Sequence, residues 1–151
     1  MTPFGPKAFS RGCHAEGTCT IAGIEANADD GYASHAEGAC TTAKGIASHS
    51  EGLGTMAVGL AQHVEGMYNK EDTINSSTKK GTYIHIVGNG SRGNLSNAHT
   101  LDWDGNAWYS GNVYAGALKD GAYDPDTKLV TAAAIDSSAV LYNKEQKLTP
   151  E

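Results

Sequence analysis

A fourteen-residue repeat dominates the first half of the sequence. The order histidine, any residue, glutamate, glycine occurs four times, at 14–17, 35–38, 49–52 and 63–66. The last three histidines are spaced by fourteen residues, and the first gap is one and a half times as long. A second pattern, Thr-x-Ala-x-Gly, follows within the unit, for example at 41–45. Agreement at so many positions indicates one structural unit repeated along the chain.

Each unit contains two short alternating stretches, His-x-Glu and Thr-x-Ala, and each stretch ends at a glycine. Alternation with a period of two is typical of β-strands, and glycine supplies the positive φ angles that tight corners require. A helical-hairpin repeat would need more than about thirty residues. The repeat therefore predicts an all-β fold for residues 1–68, in which each unit forms one coil of a narrow β-solenoid with neighbouring coils about 4.8 Å apart.

Large apolar side chains are scarce in this chain. Its 151 residues include 19 glycines and only 2 phenylalanines, and 39% of them are hydrophobic. Such a chain cannot build a wide core, so burial must come from closely stacked backbone or from partner chains. Low hydrophobicity is also the signature of disorder, but the regular repeat and the scarcity of proline favour an ordered fold.

The charge pattern excludes several classes of function. The net charge is −6, and no basic cluster is longer than Lys79-Lys80, which argues against nucleic-acid binding. No long apolar run and no signal-peptide pattern is present. We therefore expect that the chain is synthesised in the cytoplasm and does not insert into a membrane.

Cys13, Cys19 and Cys40 form no CxxC pair and leave one thiol over in any disulfide scheme. We interpret them as free thiols acting as small hydrophobic side chains.

The histidine and glutamate of each unit lie two residues apart and therefore point to the same face of a strand. We predict a structural ladder in which each carboxylate accepts a hydrogen bond from a neighbouring imidazole. Two alternatives stay open: an ion held on a symmetry axis, because both groups ligate divalent metals, and a catalytic His–Glu pair. We expect no metal and no cofactor, since catalytic metal sites seldom repeat four times. The ladder residues are His14, Glu16, His35, Glu37, His49, Glu51, His63 and Glu65.

The second half of the chain carries different signals. Residues 69–81 are polar and without a period, which indicates a connector. Residues 82–118 contain strand-like runs separated by turn signals, and Asp104-Gly105-Asn106 is a strong hairpin signal. We expect a small β-sheet stem here, because both tryptophans and four of the seven tyrosines lie between residues 83 and 123. Residues 119–151 are expected to form a partly ordered C-terminal segment.

The aromatic residues of the stem region allow two interpretations. Packing between strands and between chains is the first, because large rings are buried more often than exposed. The second is a sugar-stacking surface that contacts a ligand. The residues concerned are Trp103, Trp108 and Tyr109.

The repeat residues resemble those of a known family. Ser34-His35-Ala36-Glu37-Gly38, with Thr41-x-Ala43-x-Gly45, resembles the repeats of phage and prophage tail fibres and neck appendages. It is similar, more distantly, to the head repeats of trimeric autotransporter adhesins, which carry aliphatic residues at the His and Glu positions. Residues 84–106 look like the segment that follows such repeats in phage fibres, and 141–151 resembles the start of a linker-like repeat.

This resemblance implies a homotrimer with a β-roll head and an intertwined β-sheet stem. It also implies a location in the virion and a contribution to host-surface recognition, with a host cell-surface glycan or protein as partner. A bacterial cell-surface adhesin head is the alternative function.

We expect no enzyme, because the candidate residues match no catalytic signature. Those candidates are His85, His99, Asp102 and Asp104, with Ser91 or Ser96 as nucleophile. One enzymatic alternative comes from the resemblance. Some neck appendages end in a chaperone domain that cleaves itself off after trimerisation, and residues 96–106 resemble sequences near that domain. We expect this chain to be too short for a full domain of that kind.

Overall fold

Short β-strands make up the regular structure of the chain. The structure is a computed structural model that describes residues 4–27 and 30–111, which belong to one compact unit. Within these ranges every regular element is a strand and no helix occurs, which confirms the all-β class. The strands are β1 (Lys7–Ala8), β2 (His14–Ala15), β3 (Ile21–Ala22), β4 (His35–Ala36), β5 (Thr42–Ala43), β6 (His49–Ser50), β7 (Met56–Ala57), β8 (His63–Met67), β9 (Tyr83–Asn89), β10 (Asn97–Asp102) and β11 (Ala107–Tyr109).

The chain alternates between two sheets as it passes through the repeats. Strands β1, β3, β5 and β7 form a four-stranded parallel sheet, and β2, β4, β6 and β8 pair in parallel within a seven-stranded sheet. Each strand pairs with the equivalent strand of the next repeat, so that His35 lies opposite His49 and Thr42 opposite Met56. We call one such level of the stack a rung. The repeat period sets the register, because a slip by one residue would turn the buried side chains outward.

Small side chains fill the interior of the repeat region. In the seven-stranded sheet the buried side chain at the equivalent repeat position becomes larger, from Ala36 through Val64 to Ile86. Some buried hydroxyls are bonded locally, as where Thr55 Oγ1 donates to Glu51 O at 2.9 Å, whereas Thr20 Oγ1 lacks a partner within the described residues. The buried hydrophobic side chains of the described ranges are Ala22, Ala36, Ala43, Ala57, Val58, Val64 and Ile86. This core removes little apolar surface from water, as the composition predicts.

The connector predicted at 69–81 is fixed at its base by buried polar contacts. The Asn69 side chain bonds to both the backbone N–H and the carbonyl of Met56, on the edge of the four-stranded sheet, at 2.8 and 3.1 Å. The Asp72 carboxylate accepts a hydrogen bond from Tyr83 N at 2.9 Å, at the start of β9. The connector therefore covers the edge of the four-stranded sheet at β7 and returns the chain to the seven-stranded sheet at β9.

Strands β9, β10 and β11 extend the repeat sheet and form no separate small sheet, which corrects the expected stem architecture. β9 runs parallel to β8, and β10 and β11 follow as antiparallel strands. β9 can join because His85-Ile86 repeats the order of an outward histidine and a buried aliphatic residue seen in β8. The hairpin predicted at 104–106 joins β10 to β11. Residues 112–118 of the predicted stem and the C-terminal segment 119–151 lie outside the described residues.

Candidate functional site

A column of histidine rings runs along one face of the seven-stranded sheet. The ring centroids of the four predicted histidines are 4.7 Å apart for His14 and His35, 4.6 Å for His35 and His49, and 4.9 Å for His49 and His63. The planes of these neighbouring rings differ by only 20°, 8° and 3°. Stacking follows from the parallel register, because each ring occupies the same repeat position about 4.8 Å above the previous one.

Glutamates of the ladder contact the histidine of the following rung. The Oε1–Nε2 distances are 3.3 Å for Glu37 and His49, 3.1 Å for Glu51 and His63, and 3.3 Å for Glu65 and His85. At the first rung, His14 and Glu16 are both exposed. The carboxylates thus link successive rungs diagonally. All these pairs are partly exposed, so water screens them and each contact contributes only modestly to stability.

The middle of the column also presents a three-ligand set for a metal ion. Ligand atoms of His35, Glu37 and His49 lie within 4.8 Å of one another. Imidazole binds metal through a lone pair in the ring plane. Two nearly parallel rings with centroids 4.6 Å apart cannot both aim at one ion without turning. The carboxylate–imidazole contacts, of which the one between Glu51 and His63 is a hydrogen bond, use the rings as they stand, so this arrangement favours the ladder over a metal site.

Two imidazole nitrogens of the column lack a hydrogen bond within the described part of the chain. Nε2 of His35 and Nε2 of His49 are both buried and without a hydrogen-bond partner. His49 Nε2 lies 3.3 Å from Glu37 Oε1, so it has an electrostatic partner that is not aligned for a hydrogen bond. Buried polar atoms normally have partners, so these two nitrogens are unusual among the polar atoms of the column.

The column continues through rings that the repeat consensus does not include. His85 lies 5.2 Å from His63, His99 lies 5.6 Å from His85, and Tyr109 lies 4.5 Å from His99, measured between ring centroids. The sequence contained a pattern that could have predicted His85 as part of the column, because residues 85–88 keep the His-x-x-Gly order with Val87 in place of glutamate. His99 and Tyr109 carried no such signal, since they enter through antiparallel strands that lack the repeat.

Two titratable candidates from the second half have altered pKa values. Partial burial, and then the charge of His85, hold the pKa of His99 below its ordinary value, while Glu65 acts in the opposite direction. Hydrogen bonds from Asn106, first from its side chain, lower the pKa of Asp102. The Asp102 carboxylate also accepts the backbone N–H of Asp104 at 2.9 Å. It therefore closes the hairpin between β10 and β11, which is a structural role.

The three aromatic residues proposed for ligand contact occupy different places. Trp103 Nε1 donates to Gly81 O at 3.0 Å, and Lys80 Nζ lies 4.2 Å from the centre of its ring. Trp108 and Tyr109 are 58% and 52% exposed, and as neighbours in β11 they point to opposite faces. The structure does not bring the three rings onto one surface. Trp108 alone lines a groove of about 580 Å³.

Comparison with known proteins leaves the chain without an assigned family. No family model, no curated protein and no solved structure matches it. Among the residues that the structure describes, no helix is long and apolar enough to cross a membrane.

Proposed function

We propose that the chain is a structural segment of a homotrimeric phage tail fibre. Three copies of the repeat region form a trimeric β-solenoid head, and β9–β11 continue each chain of that head within the same sheet. The observation that carries this proposal is the mismatch between a regular stack of rungs and its thin interior. Four of the seven buried hydrophobic side chains in the described ranges are alanines. A core of this kind cannot offset the entropy of ordering the chain, so sister chains supply the missing burial.

The ladder face is the surface that we assign to contact between the chains. Beside the glutamates runs a row in which Leu53 pairs with Ala39 on one side and with Met67 on the other. Leu53 and Met67 are exposed although apolar. Contact with another copy of the chain would bury this row. The same contact would provide a hydrogen-bond partner for Nε2 of His35, which lacks one within the described residues.

Mass measurement in solution tests the assembly. We expect sedimentation equilibrium and native mass spectrometry to give three times the mass of the chain. Leu53→Asp should shift the population towards monomer, because it places an uncompensated carboxylate in the contact between chains. Leu95→Asp is the matched control, since Leu95 is exposed outside the row and should leave the trimer intact. A wild-type protein that stays monomeric at micromolar concentration contradicts the proposal.

We assign the host-recognition role to the groove beside Trp108. Its lining combines the exposed indole with Tyr83 and with the polar side chains of Asn97 and Asn106. Aromatic faces with neighbouring amides suit a cell-surface glycan, because sugars stack their C–H faces on rings and hydrogen-bond at their edges. We expect Trp108→Ala to lose binding on a saccharide array, while Leu95→Ala, outside the groove, keeps it. Equal binding by the Trp108→Ala trimer and the wild type would place recognition elsewhere.

A further inference from the structure

Cys19 and Cys40 occupy the same repeat position in consecutive rungs. The residues that precede them, Thr18 and Ala39, face each other in a parallel bridge, and Cys40 N donates to Thr18 O at 2.7 Å. Both cysteines have left-handed φ angles, 63° and 53°, so their Cβ atoms leave the backbone in similar directions. Rungs about 4.8 Å apart place the two Cα atoms inside the range of about 4.4–6.8 Å seen in disulfides.

The pKa of the Cys40 thiol agrees with this placement. Its interaction with the Cys19 side chain raises the pKa of Cys40, and Arg92 acts in the opposite direction. Cys40 is exposed, so an oxidant can reach it. The third thiol is placed differently, because Cys13 Sγ lies 3.1 Å from Gly31 O and 3.2 Å from the hydroxyl of Ser34. The structure thus separates one adjacent pair of thiols from one single thiol.

We propose that Cys19 and Cys40 are a modification site that forms a disulfide bond between consecutive rungs under oxidising conditions. With glutathione disulfide as the oxidant, the exposed Cys40 thiolate attacks one sulfur and releases one glutathione thiolate. The Cys19 thiolate then attacks the mixed disulfide at the Cys40 sulfur and releases the second. The two thiol protons end on the two glutathiones, so the chain is oxidised by two electrons and the glutathione is reduced by two.

The Cys19–Cys40 disulfide would link two rungs in the least regular part of the repeat region. Between the first two histidines, His14 and His35, the spacing is one and a half units and not one. A disulfide from 19 to 40 encloses most of that longer connection. By restricting the unfolded chain, it should stabilise this end of the stack without changing the register of the rungs.

Intact mass and peptide mapping test the site in the full chain. After incubation with glutathione disulfide near pH 8.5, where about half of ordinary thiols are ionised, the wild type should lose about 2 Da and yield a linked Cys19–Cys40 peptide. Cys13→Ser should behave in the same way. Cys40→Ser should not form the internal bond and should instead retain glutathione on Cys19. Oxidation should raise the melting temperature of the wild type by roughly 5 °C or more and leave that of Cys40→Ser unchanged.

Three results would each overturn the site. They are persistent glutathione on both cysteines with no internal bond, a bond that involves Cys13, and a bond found only between different chains. The map is read on protein oxidised in its folded state and then denatured with the free thiols blocked, so exchange during unfolding does not create the link. The test reads which thiols are linked and not how many chains associate, so its failure and failure of the fibre proposal are distinguishable.

Discussion

At the scale of single residues, the glycine after each glutamate is the position that tolerates least change. Gly52 has a φ of +99°, and a Cβ atom there would collide with the backbone carbonyl oxygen of Gly66 in the next rung. Two separate costs therefore act at this position: the left-handed conformation and the close approach of backbone. Gly105 isolates the first cost, because its φ is +85° and nothing lies within 4 Å of an added Cβ.

Alanine at these two glycines should separate the two costs. We expect Gly105→Ala to lower the free energy of unfolding by about 1 kcal/mol through conformation alone. Gly52→Ala should lower it by about 3 kcal/mol or more, since the neighbouring rung must also shift. Urea unfolding followed by circular dichroism measures both. Equal losses at the two positions would mean that the rungs are not packed as closely as the structure has them.

The second prediction at this scale concerns pH. The pKa of His99 is lowered in the fold, so the unfolded chain binds this proton more strongly and stability falls as the pH drops below about 6.5. The groups that face His99 are His85, Glu65 and Tyr109. His99→Gln should therefore lose less stability between pH 7.5 and 5.5 than the wild type does. The urea midpoint at the two pH values gives the result, and a pH dependence unchanged by His99→Gln would refute it. Asp102 acts in a separate window, because its lowered pKa makes stability fall only below about pH 4.

At the scale of elements, the backbone at the β7 edge of the four-stranded sheet needs hydrogen-bond partners. After β7 no further strand of the described chain pairs with this edge, and its backbone groups would lack partners. The buried Asn69 side chain supplies them, since its Oδ1 accepts the N–H of Met56 and its Nδ2 donates to the Met56 carbonyl. A side-chain amide has the same donor and acceptor as a peptide unit, so it substitutes for the missing rung.

Asn69→Ala should remove the two side-chain hydrogen bonds that cap Met56 at the edge of the four-stranded sheet. Because buried backbone groups of Met56 would be left unsatisfied, we expect a loss of about 2–3 kcal/mol. Asn75→Ala is the control: Asn75 Oδ1 accepts the N–H groups of Ser77 and Thr78 in an exposed turn, where a loss below about 1 kcal/mol is expected. Amide hydrogen exchange should show faster exchange at Met56 in Asn69→Ala only. Unchanged protection at Met56 would exclude the capping role.

At the scale of the whole molecule, the buried side chains of the seven-stranded sheet become larger towards β9. The buried position of the seven-stranded sheet changes from Ala36 through Ser50 and Val64 to Ile86. More apolar area is buried towards β9, so we expect the stability of the rungs to increase in that direction. A histidine occupies the same outward position in each of these strands over the same length, which suits a contact with identical neighbours in identical register.

The proposed trimer makes stability depend on concentration. If folding and assembly are coupled, the melting temperature should rise with protein concentration, because association favours the folded chains. Differential scanning calorimetry over a hundredfold concentration range measures this effect. A midpoint that stays constant while the wild type sediments as a monomer would remove the basis of the fibre proposal.

The sequence determined the all-β class and the pairing register, because a period of fourteen leaves only one way for identical positions to stack. His35 and His49 were predictable partners for this reason. The entry of His99 and Tyr109 into the column and the capping of Met56 by Asn69 were decided by the tertiary structure. The first depends on how strands outside the repeat dock and the second on where a loop returns, and no local spacing encodes either of them.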